Sequence, residues 1–413
     1  MPATRFRQAL SGPGAIAIAM GIMSVATYAF TMAAARILGP GDYGAIASLM
    51  NLLLVIGVLQ LGLQATAARR ITSTPDHVAQ IERVILRVTY RAAWALGALL
   101  LLLTPVIDRM LRLDSLVTAA LVSVTSVPMT IMGGQAGILQ GERRWFPLSV
   151  LYVASGVPRF VIGTALMLWR PDETWAMTGV AIASVAPVLV GWYALRRDRH
   201  PGEHSHLHGA RPVIREAIHN SQALMAFFVL SNADVIVARN VLPSHAAGLY
   251  AGGLILTKAV LFLPQFVVVI AFPSMSTAAE RRRALLRSLA MVAGLGVVST
   301  LGAWVLSGFA MTFVGGPEYT DIQSKLWLFA VLGTALSMLQ LLVYSVVARQ
   351  GQRSVYVIWA AVIALIGSGL ALADSVTRLL LLVTAIDVAL FVVLLGLSLY
   401  RMREPLEPER TSV

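Results

Sequence analysis

The stretch PGAIAIAMGIMSVATYAFTMAAARILGPGDYG, residues 13–44, carries no charged side chain before Arg36. Its apolar run of about 22 residues, rising about 1.5 Å per residue as a helix, can cross a hydrocarbon core about 30 Å thick. The closing LGPGDYG is turn chemistry, because glycine and proline both interrupt a helix. A second uncharged apolar run follows at once and lasts to residue 68. The whole reads as a helical hairpin in a membrane. Arg5 and Arg7 ahead of it and Ala33-Ala34-Ala35 at its end imitate a secretory signal. The run exceeds the roughly 7–15 apolar residues of such a signal, so it is expected to remain as an uncleaved first helix.

Outward from this hairpin the pattern repeats. Twelve segments are apolar enough to span, at 13–35, 44–68, 90–107, 115–139, 148–169, 175–195, 220–240, 246–271, 287–312, 326–348, 354–373 and 377–400. Composition agrees: 57% of the 413 residues are hydrophobic and 13% charged, against about 25% charged in soluble domains. That excludes an ordinary soluble enzyme, a disordered chain and a coiled coil, and leaves an all-α polytopic membrane protein. The longest polar stretch, 196–219, has 24 residues, too few for a soluble catalytic domain.

The net charge of +12 is not the footprint of a nucleic-acid binder, because the arginines fall in short runs between spans rather than on one solvated face. Alternate loops hold 23 Lys and Arg on one side and 7 on the other, with Arg159 and Lys258 inside spans. The positive-inside rule then places both termini in the cytoplasm. With no cysteine in the chain, disulfides, thiolate metal sites and cysteine nucleophiles are excluded.

Two halves echo each other. RILGPGDYG from Arg36 and RNVLPSHAAGLY from Arg239 follow the first and seventh spans, with Arg36/Arg239 and Pro40/Pro243 at one offset of 203. LQGERR at 139–144 and ARQGQR at 348–353 follow the fourth and tenth, with Gln140, Gly141 and Arg143 matching Gln350, Gly351 and Arg353 at an offset of 210. Six spans per half preserve orientation, so the halves are expected to be related by an axis along the membrane normal, with a substrate site between them near the midplane. The expected division is a bundle at 1–195, a His-rich cytoplasmic linker at 196–219, a bundle at 220–403 and a tail at 404–413.

At these residues the chain resembles the polysaccharide-biosynthesis, O-antigen-type flippases of the multidrug/oligosaccharidyl-lipid/polysaccharide exporter superfamily. The resemblance rests on R-x-LGP-x-x-YG (Arg36, Leu38, Gly39, Pro40, Tyr43, Gly44) and on Asp234 followed by G-x-YA (Gly248, Tyr250, Ala251). The Q-G-x-R-R turn at 140–144 and FPSMS at 272–276 add to it. It implies two six-helix bundles in a V around a cavity, related by pseudo-two-fold symmetry. It also implies transfer of polyprenyl-diphosphate-linked oligosaccharide across a bacterial plasma membrane, without a cofactor. A monomer working beside a polysaccharide polymerase and glycosyltransferases is the state expected on that reading. Several branches of the superfamily have fourteen spans, where twelve are counted here.

Four ionisable residues lie well inside spans: Arg159, Asp234, Lys258 and Asp387. A charge at a helix centre costs about 2.5–3.5 kcal/mol on insertion scales, so it usually faces a cavity or a partner. Arg159 and Lys258 near the midplane suit a cationic floor that grips pyrophosphate, arginine bidentately and lysine as a point charge. The competing reading pairs the cations with the acids, Lys258 with Asp234 first, as helix locks. Asp387 has a further reading as a proton or cation site. Arg36 and Arg239 at the outer mouth either touch the departing sugar or diphosphate or snorkel at helix ends. Pro105, Pro128, Pro158, Pro187 and Pro264 permit bending, and Pro158 stands just before Arg159.

His200, His204, His206 and His208, with His219 beyond, lie in a solvated loop with no second ligand cluster, so no functional metal site is expected. Arg281-Arg282-Arg283 reads as a topogenic, anionic-lipid contact. No P-loop, H-E-x-x-H or G-x-S-x-G occurs, and GGQAG at 133–137 has no strand before it. Two rival functions remain. A cation-coupled drug antiporter of the same fold would be expected to use acids in the first six spans, which hold none away from their ends. A membrane glycosyltransferase, polymerase or ligase would need a larger outer loop than the roughly 13 residues available, whose only histidine is His245.

Overall fold

A computed structural model describes residues 13–196, 209–262, 278–347 and 352–401 of the chain. Among them every regular element is a helix. In chain order these are α1 (Pro13–Ser73), α2 (Val78–Leu102), α3 (Thr104–Leu111), α4 (Leu116–Gly141), α5 (Trp145–Trp169), α6 (Glu173–Ala183) and α7 (Val185–Ala194). They continue with α8 (Ala210–Val241), α9 (Ser244–Phe262), α10 (Ala278–Val305), α11 (Ser307–Val314), α12 (Leu326–Val347), α13 (Gln352–Leu372) and α14 (Val376–Arg401). Ten helical segments among the described residues are long and apolar enough to cross a membrane. One of them is α1, whose 61 residues hold the first two expected spans on either side of Gly39. All twelve expected spans fall on helices, although the end of the eighth, and with it Pro264, lies outside the described residues.

Their outward faces carry large apolar side chains in the open, among them Val25, Trp94, Leu102, Leu168, Val298 and Ile363. Such a surface requires a hydrocarbon solvent, in which only structures with internally satisfied backbones persist. Aromatic rings stand near helix ends, as at a membrane interface. Trp169 and Trp175 meet edge to face at 4.6 Å, with the Arg170 guanidinium 5.4 Å from the first ring.

The helices form two groups. In the first, α4 and α5 pack on α1, α2 packs on α4, and α6 and α7 close on α5. In the second, α12 packs on α9, α10 and α14, and α13 packs on α8 and α14. Between the groups run the contacts of α1 with α8 and α9.

The two repeated motifs are the turns that make this crossing. Gly39 adopts φ 68°, ψ 176°, a left-handed φ that glycine reaches without strain. Leu242, the residue before Pro243, has ψ 156°. Both therefore hold the extended ψ that a following proline imposes, and each breaks its helix at the same point of the repeat. The turns then pack on each other. A Cβ added to Gly44 would stand 3.0 Å from the Gly248 Cα, and one added to Gly248 would strike the Pro40 carbonyl.

Four spans differ from their expected bounds. The third begins as helix at Val78, because Glu82, Arg83 and Arg87 continue the helix beyond the apolar run that hydropathy detects. It stops at Leu102, and Pro105 sits in the first turn of the separate α3, where its missing N–H costs nothing. The sixth span is broken at Ser184 between α6 and α7, since Pro187 offers no N–H to the turn before it. The seventh begins as helix at Ala210, ten residues ahead of its expected start and inside the stretch expected to be a linker, because Arg211, Arg215 and Glu216 continue the helix beyond the apolar run. The ninth begins at Ala278, nine residues ahead of its expected start, and α11 follows as a separate helix after Leu306. By contrast α4 and α5 run on through Pro128 and Pro158.

The crossing predicts that Gly248→Val, which places a branched side chain on Pro40, destabilises the protein by about 1–3 kcal/mol. Unfolding of the detergent-solubilised variant should show a lowered midpoint with the helical content of the starting state unchanged.

Candidate functional site

Asp234, Lys258 and Asp387 come together in the second group. Asp234 on α8 is 2% exposed; its Oδ2 accepts from the Tyr250 hydroxyl at 2.9 Å and its Oδ1 from the Val235 N–H at 2.9 Å. Tyr250 is fully buried on α9, with its ring centroid 5.7 Å from that of Phe329. The half-buried Lys258 Nζ donates to Asn232 Oδ1 at 2.8 Å and to the Ser231 carbonyl at 3.1 Å. Lys258 thus bonds two residues short of Asp234, and the two charges act on each other without a direct ion pair among the described residues. The amide nitrogen of Asn232 donates to the Phe228 carbonyl at 2.7 Å, which turns its oxygen toward the lysine. Asp387 on α14 is 1% exposed, acts electrostatically on Asp234, and among the described residues leaves Oδ1 without a hydrogen-bond partner.

Arg159 stands apart, near the middle of α5. It shares a helix face with Gly156 and Gly163, which press against Met23 and Phe30 of α1. The residue is half-buried. Among the described residues it has no hydrogen-bond or ion-pair partner, and no carboxylate acts on it. Among the described residues its guanidinium donors are left open.

Arg239 is 5% exposed and is held by the other group. Its Nε donates to the Leu111 carbonyl at 2.9 Å, Nη2 to the Arg112 carbonyl at 2.6 Å and Nη1 to the Gly41 carbonyl at 3.5 Å. The first two acceptors are the C-terminal carbonyls of α3, the negative end of a helix. The carboxylates of Glu173, Asp114 and Asp42 act on the same guanidinium. Beside it, Asn240 donates to the Met110 carbonyl at 2.7 Å, and Arg112 returns a bond to the Asn240 carbonyl at 2.6 Å. The exposed Arg36 donates to the Thr312 carbonyl, and the Tyr319 hydroxyl reaches the Ala35 carbonyl at 3.2 Å. All these links cross between the groups on the arginine-poor face. On the arginine-rich face α8 meets the first group again, where Arg69 Nη2 and Arg70 Nη2 approach the two Glu216 carboxylate oxygens at 2.6 and 2.8 Å.

Sequence reasoning passed over Asn232, Tyr319 and Glu216. Asn232 and Tyr319 are uncharged and become partners only through helix packing. Glu216 had a signal, being an acid between Arg215 and an apolar run, but nothing in the chain marks its partners at Arg69 and Arg70. His200, His204, His206 and His208, and FPSMS at 272–276, lie outside the described residues. The side chains of His219 and of Arg281, Arg282 and Arg283 do so too. Among the described residues no group of histidines and acids is arranged to hold a metal ion.

Arg239→Gln should loosen the arginine-poor face. Because the chain has no cysteine, a single Ala247→Cys, buried at 1% exposure in the crossing, reports this directly. Its labelling by a membrane-impermeant maleimide should be slow alone and several-fold faster with Arg239→Gln, by about the factor that one lost buried hydrogen bond to a charge allows.

A family model described as "Polysaccharide biosynthesis protein" matches residues 11–279. An uncharacterized protein of Mycobacterium tuberculosis is 28% identical over 267 residues, which are 62% of this chain and 59% of that protein. The chain therefore spans little more than half the length of the curated relatives it matches. Among solved structures, an inward-facing multidrug resistance MATE family transporter of the MOP superfamily superposes with a TM-score of 0.73 at 13% identity, covering 93% of this chain and 94% of its own. The outward-facing conformation of such a transporter gives 0.63 at 13% identity, with 94% of each chain covered. The described helices, their two groups and these matches make the chain a multi-pass membrane protein of the MATE transporter fold, and it belongs to the polysaccharide biosynthesis protein family.

Proposed function

We propose that the protein moves a polyprenyl-diphosphate-linked oligosaccharide from the cytoplasmic to the outer leaflet of a bacterial plasma membrane, by alternating access, for a surface polysaccharide of the O-antigen type. The observation that carries this reading is Arg159. A guanidinium in mid-span costs several kcal/mol unless it has a partner, and this one has none among the described residues. A diphosphate is a partner that arrives and leaves, and the planar fork of arginine matches its oxygens bidentately. Lys258, already held by Asn232 and Ser231, has donor capacity left for a second phosphate contact. The polyprenyl tail stays in lipid while the sugar passes between the groups.

On this reading the arginine-rich face is cytoplasmic, as are both termini. The bundles at 1–195 and 220–403 are the rocking units, joined by 196–219, whose last ten residues extend α8 as helix, and followed by the tail 404–413. α8 is tied to the first group at both ends, by Glu216 on one face and by Arg239 on the other. Outward opening has to release the Arg239 set, and inward opening the Glu216 set. Arg36 and Arg239 then act at the outer mouth as closures. Asp387, with a buried oxygen that has no partner among the described residues, supports coupling to a proton or cation, and Asp234 acts on it electrostatically. The same feature favours the second reading, a cation-coupled small-molecule antiporter. No cofactor is required, and polymerase and glycosyltransferases act on the product.

Arg159→Ala is expected to reduce surface polysaccharide by an order of magnitude or more while leaving the amount of protein in the membrane unchanged; loss of one bidentate phosphate contact of about 1.5–3 kcal/mol sets that scale. Arg159→Lys should restore part of the export. Full export by Arg159→Ala would remove the residue from the path.

A further inference from the structure

We propose that the groove between the first turns of α5 and the last turns of α7 binds the head group of an anionic phospholipid drawn from the surrounding leaflet. The groove encloses about 690 Å³ and opens at the arginine-rich end of both helices. Both walls belong to the first group, so the groove is separate from the crossing and from the path assigned to the substrate.

Two cations set its polar end. The Arg196 guanidinium lies 3.7 Å from the centroid of the Trp192 ring, a stacking that desolvates one face and fixes the plane. The Arg196 backbone N–H donates to the Tyr193 carbonyl at 3.4 Å, but among the described residues its guanidinium has no hydrogen-bond or ion-pair partner, so that N–H edge stays open to an anion. Arg144 is partly committed. Its Nη2 donates to the Ala194 carbonyl at 2.7 Å, and its Nη1, buried and without a hydrogen-bond acceptor among the described residues, stands 3.6 Å from Glu142. Glu142 offsets part of the Arg144 charge, which leaves Arg196 as the principal anion contact. Phosphate oxygens suit this pair because guanidinium binds them through two parallel hydrogen bonds.

The other walls are apolar and open. Phe146, Val150, Leu189 and Tyr193 line the groove and all face outward, Tyr193 at 75% exposure. A free phosphate has no use for such walls; an acyl chain does. Trp192 and Tyr193 are the amphipathic rings expected at head-group level. Basic pockets between spanning helices at the cytoplasmic surface commonly hold anionic lipid. A lipid seated here braces α7 against α5, the helix that carries Arg159.

The test is native mass spectrometry of the full chain in a neutral detergent. Phosphatidylglycerol, phosphatidylcholine, polyprenyl monophosphate and inorganic phosphate are offered separately. The protein should retain phosphatidylglycerol over phosphatidylcholine. Arg196→Gln should weaken that retention about fivefold, the value of roughly one kilocalorie per mole for an arginine at a lipid surface. Val150→Trp, which fills the groove without touching a charge, should weaken it as well and decides the matter if Arg196→Gln does not fold. Equal retention of the two phospholipids would overturn the proposal, as would both variants keeping unaltered affinity. Inorganic phosphate binding as tightly as the phospholipid, or a preference for polyprenyl monophosphate, would do the same.

Discussion

Gly44 and Gly248 meet where two proline-initiated turns cross, and the arginine-poor face is organised around that contact. In lipid, helices gain little by hiding apolar surface from one another, so association depends on close backbone approach and on polar links. Two side-chain-free positions let α1 and α9 touch. The carbonyls that the turns expose then become acceptors, and Arg239 and Asn240 use the neighbouring ones at Gly41, Leu111, Arg112 and Met110. The repeated turns thus have a mechanical place in the fold. On the proposed function they belong, with Arg239, to the closure that outward opening would separate.

Around that joint the intramembrane charges sort into two kinds. Arg239, Lys258 and Asp234 are answered within the protein, by backbone carbonyls, by Asn232 and Ser231, and by Tyr250. Their energetic cost is met by partners within the protein, and Lys258 keeps donor capacity beyond them. Arg159 and the Oδ1 of Asp387 have no such answer among the described residues. One is a cation in the first group and the other an acid in the second. A membrane protein that keeps such groups bears a cost that a transient partner can offset, and the proposed function gives a transported anion to the one and a coupling ion to the other.

The spans were legible because crossing a bilayer needs only length and apolarity, which the sequence states directly. The paired turns at Gly39-Pro40 and Leu242-Pro243 were legible for a local reason, since the residue before a proline is driven to extended backbone. Helix that continues into water was not. The start of α2 at Val78 is polar and periodic in a way hydropathy ignores, and the break at Ser184 lies inside an unbroken apolar run. The partners of the charges were hidden for a different reason. Asp234 with Tyr250, and Lys258 with Asn232, lie 16 and 26 residues apart on adjoining helices. Their meeting depends on helix rotation and depth, which spacing alone leaves open. The competing reading that pairs Lys258 with Asp234 meets a charge interaction but no direct ion pair among the described residues, since Lys258 bonds Asn232, two residues away along α8.

The most direct measurement is the lipid-linked glycan of a host lacking the protein, with its sidedness probed by a sugar-modifying enzyme that cannot cross the membrane. The account predicts that complete lipid-linked oligosaccharide accumulates where the enzyme cannot reach it from outside. An unchanged profile, fully accessible from outside, would contradict it and leave small-molecule antiport as the reading to pursue.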